Sequence, residues 1–330
     1  MGTVTLTHKG RELEELLQGV LRQESLPIGP LRSREAISQF RTLSPEDPQY
    51  VEKVALHIET DFYLGVQSIF QANSHEFSQR AKVENLKQAF VRLGIRTVHG
   101  IAMNYDPSVD SSKERRKWFD WVDRLLSHSV LIGAACFHCA KTFRGKNPEN
   151  CYLVGFFHEI GAVYLLKLLM LEMMQGSDED FVYQASGRNE IIGHLQETTK
   201  QYTPLILKKL RFPEFAINAL SVGDPQDGKE DYYKRTLASA HILEECLGDH
   251  LYPEAPPTGP GAVPPAAQPK ADAPDKSLES WNAACLRATD QIKARFPALS
   301  VEVAKVEEIA SEIKTRMEQA KRFTQFSFVK

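Results

Sequence analysis

The stretch Cys151 to Met174, CYLVGFFHEIGAVYLLKLLMLEMM, decides the fold. Its spacing predicts a helix whose apolar residues surround it rather than form one stripe, and such a helix belongs in the middle of a domain. Two polar residues interrupt it, His158 and Glu159. Burying an imidazole and a carboxylate without partners costs on the order of several kcal/mol, so both need something to bind. An adjacent His and acid can give two ligands to one metal, whose bound water becomes nucleophilic near neutral pH. They can equally be satisfied by hydrogen bonds and line a polar pocket. A metal site needs three or four donors, and this stretch supplies two.

The neighbouring segments read the same way. Trp118, Trp121, Val122, Leu125, Ile132, Cys136, Cys139 and Phe143 recur at spacings of three and four, predicting an amphipathic helix from Trp118 to Phe143. Upstream, shorter helices are expected over Val51 to His57, Phe62 to Ala72 and Val83 to Leu93, the last ending at Gly94 in a C-cap position. Downstream, Ile191, His194 and Leu195 mark another, followed by Leu205 to Leu210 and, after Pro213, Glu214 to Ser221. No run alternates like a strand, so the expected fold class is all-α, a multi-helix bundle.

Four units are expected. Residues 1–25 hold a leading helix, RELEELLQGVL, and the breaking turn LPIGP; residues 26–251 form the helical domain. Residues 252–276, rich in Pro and Ala, have too little large apolar surface to fold and form an extended, semi-stiff linker. Residues 277–330 carry two apolar stripes, Leu278, Trp281, Cys285, Ala288 and Ile292, then Val303, Val306, Ala310, Ile313, Met317 and Ala320, separated near Pro297. This is a helical hairpin. It either folds back on the domain or offers a short coiled-coil seam for a homodimer.

The whole-chain charge excludes some functions. With 40 basic and 43 acidic residues the net charge is −3, which gives no general field for nucleic acid or an anionic membrane. The longest basic run, KERRK at 113–117, reads as the solvated start of a helix. No charged-then-apolar leader is visible, and the one long apolar stretch carries His158, Glu159 and Lys167, so a cytoplasmic protein is expected. Five cysteines argue for a reducing compartment rather than a disulfide framework.

Three stretches, taken in order, resemble the HDOD family, bacterial signalling domains related to HD-type metal-dependent phosphohydrolases. They are HIETDFYLGVQSIFQANSHEF (57–77), VENLKQAFVRLGI (83–95), and SHSVLIGAA with LVGFFHEIGAVYLL. The resemblance covers about two thirds of the chain and implies an all-α bundle with the His158 helix near its centre, usually regulatory rather than catalytic. It also implies where an HD-type site would sit: His128 matches the first His, His158 the second, and Glu159 stands where the family's dyad has Asp. The later stretch LRFPEFAINALSVGD reads Gly223-Asp224 where a His pair often stands. Any metal would therefore use His128, His158, Glu159 and Asp224, with Mn²⁺, Fe²⁺ or Zn²⁺ suited to such donors. A Glu carboxylate reaches one methylene further than Asp, so no catalytic residue, metal or cofactor is expected. His128, His158 and Glu159 remain as a possible polar pocket, with His128 able to bond Glu159 across the helix pair.

Other polar motifs have plainer readings. Cys136, His138 and Cys139, with Cys151, lack a second pair and read as buried structural thiols rather than a zinc site. Asn73 and Ser74 read as closing a helix end, and Tyr232 and Tyr233 as an exposed pair in a contact surface or turn. The expected function is a non-catalytic signalling or scaffold protein whose partners are kinases, response regulators or cyclic-dinucleotide enzymes. The alternative is a phosphohydrolase or phosphodiesterase with a His-Glu dyad. A small-molecule sensor using the same pocket is a third.

Overall fold

The computed structural model describes residues 18–19, 21–22, 43–44, 46–77, 81–103, 113–143, 147–165, 200–221, 232–251, 280–297, 299 and 301–324. Most of the expected leading helix, residues 166–174, the helix around Ile191, Asp224 and the linker 252–276 lie outside them.

Among the described residues the fold is all helical. The helices are α1 (Tyr50–Thr60), α2 (Phe62–Ala72), α3 (Leu86–Met103), α4 (Lys113–Thr142), α5 (Pro148–Phe157), α6 (Thr203–Lys209), α7 (Glu214–Ala219), α8 (Tyr232–Leu251), α9 (Trp281–Arg295) and α10 (Val303–Thr324). Local chemistry sets several boundaries. Asp61 ends α1 and accepts the Leu64 amide at 3.0 Å, so one side chain starts α2. Gly94 has φ 73°, which splits α3 where the glycine was expected to close a helix. Asn73, expected at a helix end, also fastens two distant segments. Its amide accepts from Val83 N–H at 2.9 Å and donates to the Arg211 carbonyl at 3.0 Å.

The core forms around α5, which packs chiefly on α4. The two helices meet closely because Gly155 lacks a side chain: a Cβ there would lie 2.7 Å from both Cys136 Sγ and the Ile132 carbonyl. Phe156 and Phe157 are fully buried, and Phe157 meets Phe62 and Phe212 edge-on at centroid distances of 4.9 Å. Each buried Phe contributes roughly 1.5–3 kcal/mol through apolar area removed from water.

One expectation about this region needs correction. The helix begun at Pro148 is not continuous through the polar pair. It ends at Phe157, His158 and Glu159 form a turn, and helical backbone resumes from Ile160 to Leu165. The cause is local: the His158 ring takes the Gly155 carbonyl at 2.7 Å, competing with the helix's own ladder.

The hairpin is part of the same core. Cys285, Ala288, Ile292, Val306, Ala310, Ile313, Met317 and Ala320 are all fully buried. They pack with α9 against α8, and with α10 against α4, α8 and α1. The stripe that could have made an intermolecular seam therefore lies inside the chain. Arg316 of α10 pairs with Glu59 of α1, whose backbone carbonyl accepts from the Tyr152 hydroxyl of α5. Arg287 of α9 donates to the Cys246 carbonyl of α8 at 2.8 Å.

Candidate functional site

Three helices bring five polar side chains to one point. His128 comes from α4, His158 and Glu159 from the turn that ends α5, and His241 and Glu244 from adjacent turns of α8. His128 Nδ1 lies 2.6 Å from Glu244 Oε1, and its Nε2 lies 3.0 Å from His158 Nε2. Glu159 Oε1 is 3.6 Å from His128 Nε2 and 3.8 Å from His158 Nε2. His241 completes the group: its ring stacks near His128 at 5.7 Å, meets His158 edge-on at 5.0 Å, and its Nδ1 is 3.8 Å from Glu244 Oε2. Ligand-type nitrogens of the three imidazoles all lie within 4.8 Å of one another.

The electrostatics divide the imidazoles. Burial opposes a charge on His128, but the carboxylates of Glu159 and Glu244 outweigh it and raise its pKa to about 9. Burial and the neighbouring charges of His128 and His241 hold His158 well below its usual range. His158 is therefore the neutral member. The side chains of His128 and His158 are 17% and 7% exposed, while that of His241 is 42% exposed, so the group opens to solvent on the α8 side.

The structure brings His128, His158 and Glu159 together. The expected bond from His128 to Glu159 is too long at 3.6 Å to be a good one, and Glu244 takes that role. His241 and Glu244 were not anticipated. A signal was present: they stand three apart and so share one face of the helix, next to the buried Leu247 and Leu251.

Other motifs fall elsewhere. Cys136, Cys139 and Cys151 are buried thiols that form no disulfide, with Cys136 and Cys139 pushed up by burial away from reactivity. His138 lies apart from them in a groove of about 600 Å³ between the domain and α10, with Phe90, Phe137, Tyr152 and Arg316. Tyr232 and Tyr233, expected to be exposed, are half-buried against the core, and Tyr233 stacks on Phe215 at 4.8 Å. They begin a helix, whose packing requires them to turn inward.

The HDOD domain model matches residues 35–222, more than half of the chain. The chain belongs to the HDOD family. Two solved structures are similar to it. The response regulator MmoQ from Methylococcus capsulatus str. Bath is 19% identical, with 70% of this chain and 91% of that one covered and a TM-score of 0.50. An HDOD domain protein of unknown function from Geobacter sulfurreducens is 16% identical, with 94% and 96% covered and a TM-score of 0.40. No curated protein matches. His241 and Glu244 lie beyond the residues matched to the HDOD model.

The ion implied by HD-type relatives can be tested against these residues. Imidazole and carboxylate donors suit Zn²⁺, Mn²⁺ or Fe²⁺; His128, His158 and His241 bring ligand nitrogens within 4.8 Å of one another, and Glu159 Oε1 lies beside two of them. Among the described residues the donor set fits an ion through α8; Asp224 lies outside them.

Proposed function

We propose that this HDOD protein is a non-catalytic regulator in signal transduction, working by contact between its helical surfaces and other signalling proteins. The observation that carries this reading is the position of Glu159. A metal-dependent phosphohydrolase needs an open coordination position for the attacking water. Here Glu159 Oε1 stands 3.6 and 3.8 Å from the two Nε2 atoms, where it would compete with such a water for a bound ion. Its partners are expected among kinases, response regulators or cyclic-dinucleotide enzymes. No described helix is long and apolar enough to cross a membrane, so nothing in these helices restricts the search to membrane-embedded partners.

The test is turnover. Purified protein with Mn²⁺, Fe²⁺ or Zn²⁺ is assayed on bis(p-nitrophenyl) phosphate, nucleotides and cyclic dinucleotides, and no hydrolysis above the buffer rate is expected. Hydrolysis that disappears in His158→Ala would overturn the reading in favour of a phosphohydrolase. Glu159→Asp is the informative companion, because it withdraws the carboxylate by one methylene and reopens that position.

A further inference from the structure

The hydrogen bonds around the imidazoles fix their tautomers. The Gly155 carbonyl can only accept, so His158 Nδ1, 2.7 Å away, carries the proton and its Nε2 is a lone pair. Ionised Glu244 likewise only accepts, so His128 Nδ1, 2.6 Å away, carries a proton. Two Nε2 atoms then face each other at 3.0 Å. In the metal-free protein the proton that charged His128 carries on Nε2 lies between them and is donated to the His158 lone pair. That proton needs only two partners, and a metal ion can take its place with more.

The surroundings offer four. His241 brings a third imidazole to within 4.8 Å of the others, and Glu159 Oε1 lies 3.6 and 3.8 Å from the paired Nε2 atoms. Metal–ligand bonds of about 2.0–2.1 Å in a tetrahedron place ligand atoms about 3.3–3.4 Å apart. Side-chain adjustments of a few tenths of an ångström to about 1.5 Å bring the three imidazole nitrogens to that spacing, with Glu159 Oε1 beside two of them. Outer acceptors of the kind that hold metal-bound imidazoles are already present, Glu244 on His128 and the Gly155 carbonyl on His158. The exposed edge of His241 provides a path of entry.

We infer that His128, His158 and His241 hold one first-row transition-metal ion of the zinc class, with Glu159 as fourth ligand, in a closed centre that ties α4, α5 and α8 together. Nitrogen donors in this number select Zn²⁺ or Co²⁺ over Mg²⁺ or Ca²⁺, which require oxygen. Glu244 is a positioning residue that orients His128. The centre deepens the non-catalytic reading, because four protein ligands leave none for water, but its presence is measured without turnover.

The test uses untagged full-length protein, stripped with chelator, loaded with Zn²⁺ or Co²⁺ and passed through gel filtration. Elemental mass spectrometry should find close to one equivalent retained per chain, and the Co²⁺ form should show the intense visible bands of a tetrahedral site. His241→Ala, changed at a solvent-facing side chain, should bind at least 10-fold more weakly with unchanged circular dichroism, and Glu244→Gln roughly 10–100-fold more weakly. His241→Gln repeats the test should the alanine variant not fold. No retained ion in the wild type would overturn the inference and leave a proton between the imidazoles. Retention unchanged in the His241 variants would also overturn it, placing an adventitious ion elsewhere. A six-coordinate Co²⁺ spectrum would overturn the closed coordination. Turnover in the loaded protein would overturn the regulatory reading and the closed coordination together, while the retained ion itself would stand.

Discussion

Two polar groups lie at opposite sides of α5, and they solve the problem of burial differently. At one, Arg316 meets Glu59 and Tyr152, so a cation, an anion and a hydroxyl close on each other. At the other, three imidazoles converge on two carboxylates, with two ring nitrogens 3.0 Å apart. The first is electrically complete from protein atoms alone. In the second, a proton carried by His128 lies between two imidazoles, at the place of the inferred metal ion. Complementary charge fastens an element; converging donors of one kind mark a place for something else.

The largest effect should come from loosening both at once. Phe156 lies on α5, and Phe156→Ala should cost about 3–5 kcal/mol in denaturant unfolding, as for other large-to-small core changes. A smaller loss would mean that the site collapses around the gap. Next, the metal should separate the two regions. Free Zn²⁺ at about 100 times its dissociation constant should stabilise the wild type by about 2.7 kcal/mol, and chelator should remove that gain. Arg316→Met should keep the full gain, and a gain lost in that variant would show the two regions to be coupled.

In metal-free protein, Arg316→Met should cost about 1–2 kcal/mol, less than a fully buried pair because both partners are partly exposed. Combining it with Glu59→Gln should show strong non-additivity in a double-mutant cycle. The smallest effect is expected for His241→Ala without metal, within about 0.5 kcal/mol, since the side chain is largely solvated. A loss as large as that of Arg316→Met would make His241 a fastener and erase the contrast.

The two regions were unequally legible. The α5 segment announced itself because its apolar residues surround the helix, and its polar pair stood out for the same reason. His128 was legible only through the family resemblance, since its place on the helix face with Leu125 and Ile132 would by itself mark a core residue. His241 and Glu244 were hidden because the helix that carries them follows a charged stretch and opens with two tyrosines that look exposed in sequence. Its apolar face, Leu243, Cys246, Leu247 and Leu251, is broken by polar neighbours, and only packing on α4 and α5 gives it meaning. The interruption of α5 at His158 was likewise unreadable, because it depends on a ring reaching its own backbone. The hairpin's stripes were plain, but a stripe does not say what covers it.

The pairing of Glu59 with Arg316 spans 257 residues of sequence, whereas His128 and His158 are separated by 30. That difference becomes a timetable as the chain is made. At about 5–20 residues per second, Glu59 leaves the ribosome roughly 13–50 s before its partner does. Through that interval the surface later covered by α10 stays open to whatever the cell presents, so a nascent-chain binding factor would find there its longest opportunity.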